Sequence, residues 1–173
     1  MDEKRSSNTN ITKAVTTVEP QSEREIIVKR SFNAPARIVF AAWSKAELFK
    51  QWWVPKSLGL SLLSCEMDVR AGGKYRLVFS HGDSEMAFFG TYIEVTPHSR
   101  LVWTNEESGE AGQVTTVTLK EQGGKTLMVL HELYASKEAR DAGLRSGAYD
   151  GMGETFEQLD DVLFALGAET EPS

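Results

Sequence analysis

Tyr149-Asp150-Gly151-Met152-Gly153-Glu154-Thr155-Phe156-Glu157-Gln158-Leu159-Asp160-Asp161-Val162-Leu163-Phe164-Ala165-Leu166 is the stretch on which the fold turns. Tyr149, Met152, Phe156, Leu159, Leu163 and Leu166 recur at steps of three and four residues, the spacing that gathers side chains into one stripe along a helix. Glu154, Glu157, Gln158, Asp160 and Asp161 form its polar side. A helix divided in this way has to lay its stripe on another apolar surface. Gly151 and Gly153 each weaken a helix by about 1 kcal/mol relative to alanine, so they either shorten it or let it approach another backbone closely.

The partner surface lies upstream. Residues 60–69, 74–80, 86–96, 100–106, 113–121 and 126–134 read as six successive β-rich runs, rich in the alternation and branched or aromatic residues that suit strands. Ala71-Gly72-Gly73, His81-Gly82-Asp83, Pro97-His98-Ser99, Ser108-Gly109 and Gln122-Gly123-Gly124 separate them. Connections so short and so rich in turn formers predict an antiparallel meander and argue against a parallel α/β sheet. Residues 136–146 are a looser helical turn between the last strand and the long helix.

Before the meander, residues 24–32 (REIIVKRSF) predict a first strand with Ile26, Val28 and Phe32 on one face. Asn33-Ala34-Pro35 ends it, and Ala36, Val39, Phe40 and Trp43 follow at helical steps. Ser44 and Glu47 have capping-box spacing, which predicts a second helix carrying Leu48, Phe49, Trp52 and Trp53 until Val54-Pro55 closes it. The expected order is β-α-α-β-β-β-β-β-β-α: an α+β fold in which a curved antiparallel sheet grips a long C-terminal helix. Residues 1–22 are polar and predict a mobile tail, residues 23–167 the folded domain, and residues 168–173 a short C-terminal tail.

Of the 173 residues, 40% are hydrophobic, enough for one substantial core and one domain. The formal net charge of −6 and the scattered Lys and Arg residues exclude the basic surface that nucleic acid or an anionic membrane would need. Met1 to Asn10 reads MDEKRSSNTN, without the apolar stretch of a secretory signal, so a cytoplasmic protein is expected. Cys65 is the one cysteine and, with strand-like neighbours Leu63 and Met67, reads as a small buried side chain rather than as a nucleophile.

Several runs resemble one known family. Phe32-Asn33-Ala34-Pro35, Val39-Phe40-Ala41-Ala42-Trp43, Glu47 and Trp52-Trp53-Val54-Pro55 are similar to the N-terminal signature of the family named for activators of the heat-shock-protein-ninety ATPase (AHSA-like). Asp68 to Arg76, Gly90-Thr91-Tyr92 with Glu94-Val95 and Pro97, and Arg100-Leu101-Val102-Trp103 resemble its middle strands. Gly123-Gly124-Lys125-Thr126, His131, Gly151, Phe156 and Leu159 resemble its last hairpin and closing helix, with Met152 standing where relatives usually carry Trp. The likeness covers residues 24–166. It implies the START-like, birch-pollen-allergen-like helix-grip superfamily (SRPBCC), whose members enclose apolar ligands between sheet and helix. The family name also implies a chaperone as partner and a stress-response role.

A cavity of this kind needs apolar walls and a few polar groups that orient the guest. Trp103, in phase with Leu101, and His131, in phase with Leu127, Val129 and Leu133, are expected on the inner face. Trp53, Tyr149, Met152 and Phe156 are expected around the mouth, the six together forming the candidate ligand-binding set. Each has a plainer alternative: a satisfied rim histidine for His131, core packing for the aromatic residues. His81 and His98 fall in turns, so spacing supports no three-histidine metal centre, and no metal or cofactor is expected. No Gly-x-Ser-x-Gly elbow, P-loop or dinucleotide fingerprint occurs. Binding of a small hydrophobic or aromatic ligand, without catalysis, is therefore the leading expectation. An enzyme of the polyketide-cyclase or dehydratase type, with Glu132, His131 or Tyr134 as acid or base, is the alternative, and homodimerisation through an exposed edge strand stays open.

Overall fold

The structure, a computed structural model, describes residues 15–106, 113–147 and 149–170. Eight strands form one antiparallel sheet: β1 (Thr17–Ser22), β2 (Glu25–Phe32), β3 (Ser61–Met67), β4 (Lys74–His81), β5 (Ser84–Thr96), β6 (Arg100–Asn105), β7 (Gln113–Gln122) and β8 (Lys125–Leu133). Their spatial order is β1-β2-β8-β7-β6-β5-β4-β3. The meander β3 to β8 is thus completed by β2, which pairs with β8 from Glu25↔Leu133 to Phe32↔Thr126. Helices α1 (Ala36–Ser44) and α2 (Ala46–Phe49) connect β2 to β3, and α3 (Lys137–Arg145) and α4 (Met152–Thr170) follow β8. The chain is a helix-grip fold, with the curved sheet on one side and α4 on the other.

Three expectations change. The tail expected over residues 1–22 is shorter, because Thr17–Ser22 adds a strand along β2; residues 1–14 lie outside the described residues. An edge strand has one free side, so Pro20, which has no N–H to donate, is tolerated there. At the other end α4 runs to Thr170, past the expected boundary at 167, and residues 171–173 lie outside the described residues. The capping box at Ser44 and Glu47 does not form: Ser44 Oγ donates back to Phe40 O at 2.7 Å, and Lys45 takes the cap position. The second helix accordingly stops at Phe49, and Trp52 and Trp53 sit in the turn that follows. The expected turn at Ser108-Gly109 lies outside the described residues.

The core fills the space between the sheet, α1 and α4. Phe32, Val39, Trp43, Trp52, Leu130, Phe156 and Leu159 are buried there. Trp43 meets Trp52 edge-on at 4.8 Å between centroids, and Phe156 meets Phe32 at 5.8 Å. Such pairs contribute about 0.5–1.5 kcal/mol each beyond the burial of their area. Trp52 Nε1 donates to Ala42 O at 3.1 Å, so its one polar atom is satisfied inside the core.

Candidate ligand-binding site

The inner face of β2, β8, β7 and β6 is set by strand pairing. Ile26 and Val28 are buried and lie opposite Glu132 and Leu130, and Thr115 lies opposite both Glu132 and Trp103. Directly opposed residues of antiparallel strands share a face, so Trp103, Thr115, Glu132 and Ile26 form one inward row. At its centre is a polar band. Thr115 Oγ1 donates to Glu132 Oε1 at 2.6 Å, Gln113 Nε2 donates to the same oxygen at 3.3 Å, and Asn105 Nδ2 donates to Thr115 Oγ1 at 2.9 Å. Tyr75 extends the band from β4 by donating to Thr104 O at 2.7 Å. Its ring lies against Gly90, where a Cβ would run into both the Thr104 carbonyl and the Tyr75 ring.

Beyond Gly90 the inner face changes from polar to apolar. Phe88 lies opposite Leu77 and Met86 opposite Phe79, which places both on the inner side of the arm formed by β3, β4 and β5. Phe79 meets Phe88 edge-on at 5.8 Å. Phe88 and Met86 nonetheless stay 38% exposed each. A cleft of about 160 Å³ reaches Phe79 and is bordered by Trp53, Val54, Pro55, Leu60 and Leu62 and also by Lys50, Gln51 and Lys56. A larger groove of about 500 Å³ lies between α2 and the β3 edge, along Ala46, Lys50, Gln51 and Leu62 to Cys65. Polar ends make up much of its rim, and burial pushes the Cys65 thiol pKa up, away from thiolate reactivity. The smaller cleft also has Lys50, Gln51 and Lys56 on its rim, but it is the one of the two that meets the aromatic inner face, at Trp53 and Phe79.

Helix α4 is fastened along its length. Arg30, 3% exposed on the inner face of β2, pairs bidentately with Asp160 at 3.0 and 2.7 Å while its guanidinium lies 4.8 Å above the Phe32 ring. Gln158 Nε2 donates to Trp52 O and Val54 O, and Ser57 donates to Glu154 from both N and Oγ. These last bonds hold the Glu154 carboxyl below its ordinary pKa. Ahead of the helix, Tyr134 and Tyr149 share a hydroxyl–hydroxyl bond of 2.6 Å. Burial is the first cause that raises both phenol pKa values, and the Glu132 carboxylate adds to it, so both remain neutral hydroxyls. Gly143 of α3 packs on the Tyr134 hydroxyl so closely that a Cβ would lie 2.6 Å from it.

The six residues chosen from sequence are dispersed by the structure. Trp103 is buried on the inner row, 5.9 Å from Trp43 between centroids. Trp53 stacks on Phe49 at 4.8 Å and borders the small cleft. Phe156 is committed to the core, whereas Tyr149 and Met152 are partly buried at the start of α4. His131 is a correction. It lies opposite Ile27 and Thr116, on the outer face, where its Nε2 lies 2.7 Å from Glu25 Oε1. The residue that faces inward is its neighbour Glu132, one position out of phase. Asp160, on the polar side of the helix by its spacing, is the partner of a buried arginine.

Comparison with known proteins agrees with this geometry. The family model described as activator of Hsp90 ATPase homolog 1-like protein matches residues 33–163. This chain is a member of that family. Among solved structures it is similar to a Rhodobacter sphaeroides protein, 26% identical over 88% of this chain and 99% of that one, with a TM-score of 0.80. Protein NE0264 from Nitrosomonas europaea is 24% identical over 86% and 99% of the two chains, at 0.77. Protein Ms6760 from Mycobacterium smegmatis is 20% identical over 88% and 99%, at 0.74. None of the curated protein sequences matches. Within the family match fall the polar band, the aromatic arm and most of the α4 fastening, while His131 contributes to none of them.

Proposed function

We propose that this chain captures a small, apolar, aromatic-bodied molecule between the inner face of its sheet and the first turns of α4. One observation carries the reading: Phe88 and Met86 point inward yet are only partly covered by the chain's own core. Apolar surface left in water costs about 25 cal/mol per Å², and a guest on this arm removes that cost. Trp53 borders the mouth, and Trp103, Tyr75 and Tyr92 pack on one another further along the inner face. The neutral probe N-phenyl-1-naphthylamine tests the proposal. Its emission should rise and shift to the blue on titration with the full chain, and Phe88→Ser should weaken its binding about tenfold, the loss of one aromatic contact. No change in emission, or equal binding by the variant, overturns the reading.

A second reading, an acid–base enzyme of the cyclase or dehydratase type, is supported by Glu132 beside two neutral tyrosine hydroxyls on that face. Turnover of an aromatic polyketide-like substrate that survives Glu132→Gln removes it.

A further inference from the structure

We infer that the captured molecule is an acid: a small aromatic carboxylate whose ring enters the cleft at Trp53 and Phe79 while its charged group stays at the rim with Lys50 and Lys56. This rests on the capture site proposed above and names the chemistry of its guest. The polar side chains that border the cleft are Lys50, Gln51 and Lys56, so its lining holds two cations and no carboxylate. Gln51 is neutral and gives its Nε2 to Glu47 O at 2.9 Å. The acids of neighbouring elements do not cancel the lysines. Glu154 accepts from Ser57 N and Oγ, and neither Lys50 nor Lys56 has an ion-pair partner among the described residues. On a chain of formal net charge −6, two positive groups at one opening set that opening apart and draw anions to it.

Size narrows the class. The cleft's volume of about 160 Å³ is well below the roughly 300–1,000 Å³ of pockets for drug-sized ligands, which suits a body of about one or two rings and not a sterol or a phospholipid. Walls and rim then ask for different ends of that body. Trp53, Leu60, Leu62 and Phe79 remove apolar surface from water. Lys50 and Lys56 are exposed, and lysine lays its apolar stem along such walls while keeping its ammonium group in water. A carboxylate at the rim meets those groups without the cost of burying a charge. A hydroxyl gains no such attraction, and a protonated amine is repelled. Because the pairing takes place in water, it is screened by salt.

The test uses three molecules with one body: 1-naphthoic acid, 1-naphthylmethanol and 1-naphthylmethylamine, titrated against the full chain by calorimetry at neutral pH and low salt. The expected order is acid, then alcohol, then amine, with at least about tenfold between the first and the last. Raising salt from about 0.01 M to about 1 M cuts the reach of a charge from about 30 to about 3 Å and should close most of the gap between acid and alcohol. The double variant Lys50→Gln with Lys56→Gln should remove that gap and leave alcohol binding within about threefold of the parent, whereas Lys50→Arg with Lys56→Arg should keep the order. The order and its salt dependence on the unmodified chain decide the matter whether or not a variant folds. Equal binding of all three, or preference for the amine, overturns the inference, and so does an acid advantage that survives the glutamine pair. If N-phenyl-1-naphthylamine binds in those cases, the capture site stands and only the acid assignment falls. If it also fails to bind, the capture site falls and takes this inference with it.

Discussion

Beneath α1 and the middle of α4, the inner face is filled by Phe32, Trp43, Trp52, Phe156 and Leu159, all but excluded from water. Along the β3–β5 arm the same face of the same sheet ends in Phe88 and Met86, which the chain leaves partly bare. The sheet is continuous, so the difference lies in what is laid over it. Trp52 Nε1 is tied to Ala42 O, Gln158 ties α4 to the carbonyls of Trp52 and Val54, and Arg30 ties it to β2. No comparable tie crosses to Phe88 among the described residues. One half of the inner face therefore carries stability, and the other is free to carry function.

The sharpest way to break this contrast is to truncate one aromatic side chain in each half. Trp52→Ala opens a cavity in the filled half and should cost about 3–5 kcal/mol in urea unfolding. Phe88→Ser should stay within about 1 kcal/mol of the parent, because the ring is already partly in water. Equal losses would mean that the arm is core as well.

Next in size is Asp160→Asn, which leaves the Arg30 guanidinium buried without its counter-charge. A fully buried pair broken in this way costs about 3–5 kcal/mol, but Asp160 is 42% exposed, so about 1–3 kcal/mol is expected. Loss of the tie should also raise hydrogen exchange in α4 ahead of global unfolding.

A smaller effect probes the boundary between the halves. Gly143→Ala pushes a methyl group into the Tyr134 hydroxyl and should cost about 1–2 kcal/mol while separating Tyr134 from Tyr149. Tyrosinate absorbance reads this directly. Burial raises the pKa of Tyr92, Tyr134 and Tyr149, so in the parent these phenols keep their protons well above pH 10. Because the folded values are raised, the stability they contribute is complete below pH 10 and is lost as pH rises further. In the variant, at least one phenol should titrate nearer the ordinary value.

How much of this was legible follows from particular strands. β2 sets Ile26, Val28 and Phe32 at even spacing and α4 spaces its apolar residues by three and four, so their core faces were readable, although Ile27 and the buried Arg30 break the alternation of β2. β8 does not alternate: Leu127, Met128, Val129 and Leu130 are all apolar, although Leu127 and Val129 face outward and Leu127 is exposed. With both faces apolar, period alone cannot fix phase, and a one-residue slip exchanges His131 for Glu132. The missing signal was one hairpin away. Gly123 and Gly124 both have positive φ and close a two-residue turn that pairs Gln122 with Lys125. Counting back from that turn sets Val117 opposite Leu130 and Thr115 opposite Glu132. β7 does alternate, Val117 and Leu119 against Thr116, Thr118 and Lys120, so it fixes the inner face for both strands. The open arm had no comparable signal, since Phe88 and Phe79 look like core residues until the packing above them is known.

The same phase argument makes the smallest prediction the most discriminating one. His131 and Glu132 are adjacent in sequence and face opposite sides of one strand, so their variants should separate cleanly. His131→Asn removes the ring that holds the Glu25 carboxyl below its ordinary pKa, a contribution present above pH 4.5 and lost as pH falls through the lowered value. The two side chains are 30% and 32% exposed, and an ion pair so reached by water contributes little, so the melting temperature at neutral pH should hardly move. Probe binding should not move at all, because no atom of His131 lies on the inner face. Glu132→Gln alters the inner face instead, where the carboxylate accepts from Thr115 and Gln113, so of the two variants it is the one expected to change probe binding. A His131 variant with altered probe selectivity would mean that the strand presents its other face to the guest, and the inward row from Trp103 to Ile26 would have to be redrawn.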